Sequence, residues 1–322
     1  MRIGLIDIDY NGTFPNIPLM KISAYHKSIG NSVEWYLPFG DRYDRVYIAK
    51  TFSFSEDYTD AINADEVWFG GSGYKIKIID GVEVWDDVVL NKRHFIHQLP
   101  QHIEHIYPDY SLYQKLTQDT AYGFLTRGCP RGCTFCHVAA KEGKCSHKVA
   151  NLSEFWHGQK NIVLCDPNLL ACKDWKPLLQ QLIDSNAVLD INQGLDARML
   201  TKEKAKMLCK CKIDQAHFAW DRYKDGKVIV PKLKMFREIW EQHHKWNEHG
   251  MIVYTLVNYD TTPEQDLERI YILRELGYWA YVMIYNKENC VNPFYKDLAR
   301  WVNNRYIFAS CSRFEDYKNS TK

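Results

Sequence analysis

Apolar and polar positions along this chain recur in two periods, and the changes between them mark its elements. Arg2-Ile3-Gly4-Leu5-Ile6-Asp7 reads as a buried strand over Arg2–Asp7. Leu19, Ile22, Ser23 and His26 then recur at helical spacing within Pro18–Ser28, which stops at Gly30. Val33–Leu37, Arg45–Ala49 and Glu66–Phe69 are short apolar runs that predict further strands, the last closed by Gly70-Gly71. Strands alternating with helical segments predict a parallel sheet. Residues 100–120, with Pro100, Pro108 and several tyrosines, read as a connector.

From residue 121 the alternation is regular. Strands are predicted over Ala121–Thr126, Ile162–Cys165, Val188–Asn192, Ala216–Trp220, Met251–Val257 and Ala280–Tyr285. Helices are predicted near Ser153–His157 and over Trp175–Ser185, Lys202–Cys209, Lys232–His249, Glu264–Leu276 and Phe294–Asn303. The Glu264–Leu276 segment has the clearest punctuation. Thr262 fits an N-cap, Pro263 the first helical position and Gln265 a capping box, and Gly277 ends it. The pattern gives an α/β chain: a small Rossmann-like α/β domain over residues 1–110 and a partial (β/α)6 barrel over 111–312. A polar tail, 313–322, is expected to fray. In such barrels chemistry collects at the C-terminal ends of the strands.

Composition changes this picture in three ways. Apolar residues make up 46% of the 322, enough for a sizeable core. No apolar run approaches the roughly 20 residues that span a bilayer, so no membrane partner is expected. The N-terminus meets an acid by Asp7 and does not resemble a secretory signal, which points to a reducing, cytoplasmic setting. There the ten cysteines suit metal binding or burial better than disulfides. The net charge of +1 gives no global steering. Locally, residues 1–110 carry 16 acids and 10 bases, while 201–237 carry 11 bases and 4 acids. That basic run reads as a solvated helix face, with a polyanion such as RNA as the competing partner.

The central chemical feature is Thr126-Arg127-Gly128-Cys129-Pro130-Arg131-Gly132-Cys133-Thr134-Phe135-Cys136-His137. Three thiols at C-x3-C-x2-C spacing follow the first strand of the barrel region. Gly128, Pro130 and Gly132 let the loop bend around a compact object. Three thiolates suit three irons of a cubane cluster, and no fourth cysteine lies at ordinary cluster spacing. An iron left open to a small ligand implies chemistry rather than structure. The competing readings are zinc held with His137 in a nucleic-acid-binding module, an iron–sulfur electron carrier, and chance clustering.

This arrangement, with aromatic Phe135 before the last cysteine, resembles the signature of the radical S-adenosylmethionine (SAM) superfamily. The resemblance covers residues 118–310. The phrase TRGCPRGCTFC is most similar to the branch with an N-terminal cobalamin-binding-like domain and to the related methylthiotransferases. FPNIPLMKISAYHKSIGNSVEWY and ADEVWFGGSGY resemble parts of that domain. The resemblance implies a [4Fe–4S] cluster on Cys129, Cys133 and Cys136, with SAM chelating the unique iron. One electron would then cleave SAM to methionine and a 5′-deoxyadenosyl radical that acts on a substrate. It implies a reductant partner such as flavodoxin or ferredoxin. It places Phe135 near the adenine, Asp166 and Asn168 near the methionyl amine, Gln193 and Asp196 near ribose hydroxyls, and Arg198 on the SAM carboxylate. The stretch Cys165-Asp166-Pro167-Asn168 departs from the family's glycine-glycine-glutamate form. Asp221, Asn258 and Tyr285 also fall at strand ends on the expected active face.

Cobalamin is a lesser expectation, because no Asp-x-His pair stands anywhere in the chain. Methylthiotransferases add three upstream cysteines, and none precedes Cys129. Cys165 with Cys172, and Cys209 with Cys211, do not match familiar ligand spacings. His243-His244 reads as a surface pair on a long helix. The sequence does not specify the substrate.

Overall fold

The computed structural model describes residues 1–79, 82–85, 94–247 and 250–320. Backbone contacts divide the chain into two compact units, Met1–Lys144 with Val149–Ile162, and Cys145–Lys148 with Val163–Lys322. The boundary expected near residue 110 falls inside the first unit.

The first unit opens with β1 (Arg2–Asp7), α1 (Ile17–Ser28), β2 (Ser32–Trp35), β3 (Tyr43–Ala49) and β4 (Ala64–Gly70). A hairpin of β5 (Ile76–Ile79) and β6 (Val82–Trp85) precedes β7 (Phe95–Ile96). Five strands form a parallel sheet in the order β2-β1-β3-β4-β7. Period-2 alternation feeds both of its faces. Ile3, Leu5, Tyr47 and Ala49 pack with Leu19 and Ile22 of α1, while Val46 and Ile48 pack with Tyr36 and Tyr43. Asn16 caps α1 by accepting the Leu19 N–H at 3.1 Å. The short helices α2 (Gln101–Glu104) and α3 (Gln114–Thr117) lead to β8 (Thr120–Gly123). After it come β9 (Thr126–Arg127) and α4 (Val138–Glu142).

The second unit includes the short strand β10 (His147–Lys148). The cut between the units passes through β11 (Asn161–Leu164). Then α5 (Trp175–Ser185), β12 (Val188–Leu195), α6 (Lys202–Leu208), β13 (Lys212–Ala219), α7 (Gly226–Trp240), β14 (Met251–Val257), α8 (Pro263–Glu275) and β15 (Trp279–Ile284) alternate. The strands lie in the order β15-β14-β13-β12-β11. Strands β12 through β15 run parallel. The chain closes with α9 (Pro293–Asn303), α10 (Arg305–Ser310) and α11 (Phe314–Ser320). Thr262 and Gln265 form the expected capping box of α8.

Three expectations are corrected. The helix expected over Lys232–His249 spans Gly226–Trp240, and His249 lies outside the described residues. The helix carries Pro231 in its second turn. The helix can begin early because Gly226 presents no Cβ where one would lie 2.4 Å from the Trp220 ring. The segment near Ser153–His157 is a 3-10 turn over Leu152–Glu154, capped by Asn151. The tail expected to fray forms α11, which buries Phe314 and Tyr317; its last two residues lie outside those described. Among the described residues no helix is long and apolar enough to cross a membrane.

Candidate functional site

The cysteine loop belongs to the first unit and runs from β9 into α4. Gly128 and Gly132 take φ of 80° and 55°, the left-handed region that glycine enters freely, so the chain turns on either side of Cys129. The loop's start is tied to its end. Glu142 accepts the Gly128 N–H at 3.1 Å and Arg127 Nη1 at 2.8 Å. The Cys129 N–H donates to the Gly143 carbonyl at 3.1 Å, and the Cys136 N–H to the Cys133 carbonyl at 3.1 Å. Arg127 is held further by the Phe124 ring, 3.4 Å from its guanidinium carbon. Backbone bonds and the Arg127–Glu142 pair close the loop. Cys129 and Cys133 are half-buried and Cys136 is exposed, so an exogenous group can reach them. Phe135 is half-buried beside them.

The donor set fits a cubane: three soft thiolates on one bent loop. Among the described residues no three His, Cys, Asp or Glu side chains gather closely enough for a single metal ion. A cubane does not need that convergence, because each thiolate takes a different iron. His137, the fourth ligand of the zinc reading, has its Nε2 3.4 Å from Glu83 Oε2.

The other expected contacts belong to the second unit. Asp166 and Asn168, just past β11, are 0% and 2% exposed. Asn168 donates from Nδ2 to Asp196 Oδ2 at 3.4 Å, and its carbonyl accepts the Ser146 hydroxyl at 2.9 Å. In β12 the pairing with β13 slips between Ile191 and Leu195. Gly194, at φ 110°, sits in that slip, which re-aims the flanking side chains. Gln193 there is exposed. Asp196 accepts the Arg198 N–H at 3.1 Å and Arg198 Nε at 2.8 Å, and Arg198 Nη1 reaches Asp225 Oδ2 at 2.7 Å. The structure thus engages the Arg198 fork with two carboxylates of its own unit, where the sequence reading had it open to a ligand carboxylate. Asp225 was missed because it lies one strand and one helix away, in an unremarkable charged stretch.

At the ends of β13, β14 and β15, Asp221, Asn258 and Tyr285 are linked by a buried ion pair the sequence reading also missed. Arg269 and Asp266 are both wholly buried and bonded to each other. Arg269 donates to the Trp220, Asp221 and Leu256 carbonyls at 2.5, 3.0 and 2.6 Å. Asn258 donates its N–H to Asp266 at 3.3 Å and its Nδ2 to the Tyr285 carbonyl at 3.2 Å. Burial pushes the Asp221 carboxyl up to about 6, against the pull of Arg269 and Arg198.

Cys209, Cys211 and His244 serve structure. Burial pushes the Cys209 and Cys211 thiols up to about 11 and about 12, which keeps them protonated and poor as ligands. His244 lies past the end of α7, its Nε2 2.6 Å from the Cys209 carbonyl. The basic run 201–237 is dispersed. Lys204 is buried, its ammonium on the Leu170 and Met199 carbonyls at 2.8 and 3.2 Å. Lys232 bonds the Leu200 carbonyl, and Arg237 the Leu276 carbonyl at 2.6 Å.

No protein-family model matches the sequence, and no curated protein does. Solved structures do. A radical S-adenosylmethionine methyltransferase, TsrM from Kitasatospora setae, with cobalamin and a [4Fe–4S] cluster bound, matches with a TM-score of 0.61. The match covers 88% of this chain and 72% of that one, at 11% identity. TsrM with tryptophan substrate and the SAM analogue aza-SAM matches over the same shares, at 11% identity and a TM-score of 0.59. This chain has the fold of that radical SAM methyltransferase. The likeness extends through both units, since only 12% of the chain lies outside it.

Proposed function

We propose that this protein is a radical SAM enzyme whose [4Fe–4S] cluster is held by Cys129, Cys133 and Cys136. The observation that carries the reading is the three-thiol loop, bent at Gly128 and Gly132, on a chain with this fold. The finer architecture we read the same way. The order β2-β1-β3-β4-β7 supports a Rossmann-like first domain, and the parallel strands β12–β15 support a partial barrel.

When bound, the cluster supplies the electron that cleaves a carbon–sulfur bond of SAM. The chain's own residues hold and shape the site. Glu142 and Arg127 close the cysteine loop. Phe135 is the candidate partner for adenine, and exposed Gln193 for a ribose hydroxyl. Asp196, with Arg198 and Asn168, braces the end of β12, and Asp166, buried just past β11, is the candidate for the methionyl amine. A low-potential reductant, of the flavodoxin or ferredoxin kind, is required by the electron count. We place the reaction in a reducing, cytoplasmic setting.

Cobalamin binding is supported by TsrM, which carries it. In this chain the glycine pair serves its own backbone: a Cβ on Gly71 would lie 2.1 Å from the Lys50 carbonyl oxygen. At the carboxyl ends of β1 and β3, Asp9 accepts the Phe52 N–H at 3.4 Å and also bonds the Thr51 N–H and the Ser55 hydroxyl. These residues are therefore not assigned as cobalamin ligands. RNA remains a candidate substrate only through exposed lysines such as Lys202, Lys206 and Lys210.

The test is anaerobic incubation of reduced, reconstituted protein with SAM, followed by chromatography of the nucleoside products. Wild type should consume SAM, and Cys133→Ala should not. A wild-type protein that binds iron but leaves SAM intact would make it an electron carrier instead.

A further inference from the structure

A cavity of about 600 Å³ opens in the second unit along β12–β15. It lies on the more exposed side of β15, where Tyr281 and Met283 keep 40% and 39% of their surface while Ala280 and Val282 are buried. Volumes of this size hold small molecules. The walls are flat and aromatic. His217 and Tyr254 stack with ring centroids 5.0 Å apart and planes 8° apart, and Tyr281 meets Tyr254 edge-on at 5.8 Å. Such surfaces favour a planar ring.

Asn192 and Gln193 also line the recess, and His217 and Arg305 give it a direction. His217 Nδ1 lies 2.9 Å from the Ile191 carbonyl, with Asp190 Oδ1 behind it at 3.7 Å. A carbonyl only accepts, so Nδ1 carries a proton, and in that single-proton tautomer Nε2 is an acceptor. Arg305 rests its guanidinium 4.3 Å from the Trp279 centroid. No carboxylate among the described residues pairs with it, and no Asp or Glu lines the cavity. The recess therefore offers a cation and a hydrogen-bond acceptor beside a flat aromatic wall, with the Asn192 and Gln193 amides on the β12 side. It offers an ammonium group no acid partner.

We propose that this cavity binds a planar aromatic acid carrying an O–H or N–H donor, its acidic group on Arg305 and its donor on His217 Nε2. The inference rests on the radical SAM reading only in taking that molecule as the substrate class. It predicts a preference for a simple acid over a zwitterionic amino acid.

The test is equilibrium dialysis of anaerobically reconstituted protein against 6-hydroxy-2-naphthoate. Three comparison probes accompany it: the 6-methoxy acid, which lacks the donor, the 6-hydroxy amide, which lacks the charge, and tryptophan, which adds an ammonium. Each should bind about tenfold or more weakly than the hydroxy acid, a step of about 1.4 kcal/mol. Arg305→Gln, an exposed change that leaves the core untouched, should weaken the acid about tenfold and leave the amide unaffected. His217→Gln should weaken the hydroxy acid more than the methoxy acid. Equal affinity for acid and amide, an unaltered affinity in Arg305→Gln, or tighter binding of tryptophan would overturn the assignment. SAM consumption is measured on the same preparations. Loss of probe selectivity with SAM cleavage intact removes this inference alone, and selective binding without SAM cleavage removes the radical reading alone.

Discussion

At the scale of single residues, His26 shows how burial sets chemistry in the first unit. It is 3% exposed, between Tyr47, whose hydroxyl lies 2.9 Å from Nε2, and Asn31, whose Nδ2 lies 2.9 Å from Nδ1. Burial, helped by the Arg45 guanidinium, lowers its pKa to about 4. The unfolded chain holds this proton up to about pH 6.5. The native state therefore gains stability from His26 above that pH and loses it as the pH falls toward 4. Going from pH 7 to pH 5 should cost about 2 kcal/mol through this residue. Urea unfolding of wild type and His26→Gln at the two pH values checks it. The drop should be smaller in the variant, and an equal drop in both would show that His26 is not the group responsible. Arg198 and Asp196 show what single residues conceal in a sequence. Each was legible as a polar residue at a strand end, where ligands gather. That they bond each other and Asp225 depends on a 3-10 turn and a helix start no residue pattern announces. Arg269 was harder still, because the buried face of α8 carries Asp266 and Arg269 beside Ile270 and Leu273, and no apolar spacing marks such a face.

At the scale of elements, most of the architecture was legible, since strands buried on both faces are continuous apolar runs. Met251–Val257 and Trp175–Ser185 appear with the bounds their patterns gave. Helix starts marked by a cap were also readable. For α8, Thr262 Oγ1 accepts the Gln265 N–H at 3.4 Å while the Gln265 side chain takes the Thr262 N–H at 3.1 Å. Thr262→Ala should lower stability by about 1 kcal/mol. A thermal or urea melt of that variant measures the loss, and an unshifted midpoint would mean that this cap is redundant. Elements set by tertiary packing were not readable. The first turns of α7 lay outside the expected helix, and their start depends on the Trp220 ring lying over Gly226. The polar tail became α11 because Phe314 and Tyr317 find a buried place, with Phe314 against Trp301 and Phe294.

At the scale of the whole molecule, the cysteine loop and the fold point the same way by separate routes. The loop is local sequence, and the fold likeness holds at 11% identity. The loop's geometry adds that the thiols are presented on a backbone already closed by Glu142 and Gly143. The most direct measurement is therefore metal and sulfide analysis of protein purified without oxygen, wild type beside the combined Cys129→Ala, Cys133→Ala, Cys136→Ala variant. The account predicts about four irons and about four sulfides per chain in wild type, as one cubane requires, and none in the variant. Stoichiometric zinc in the wild type, or iron retained by the variant, would contradict it.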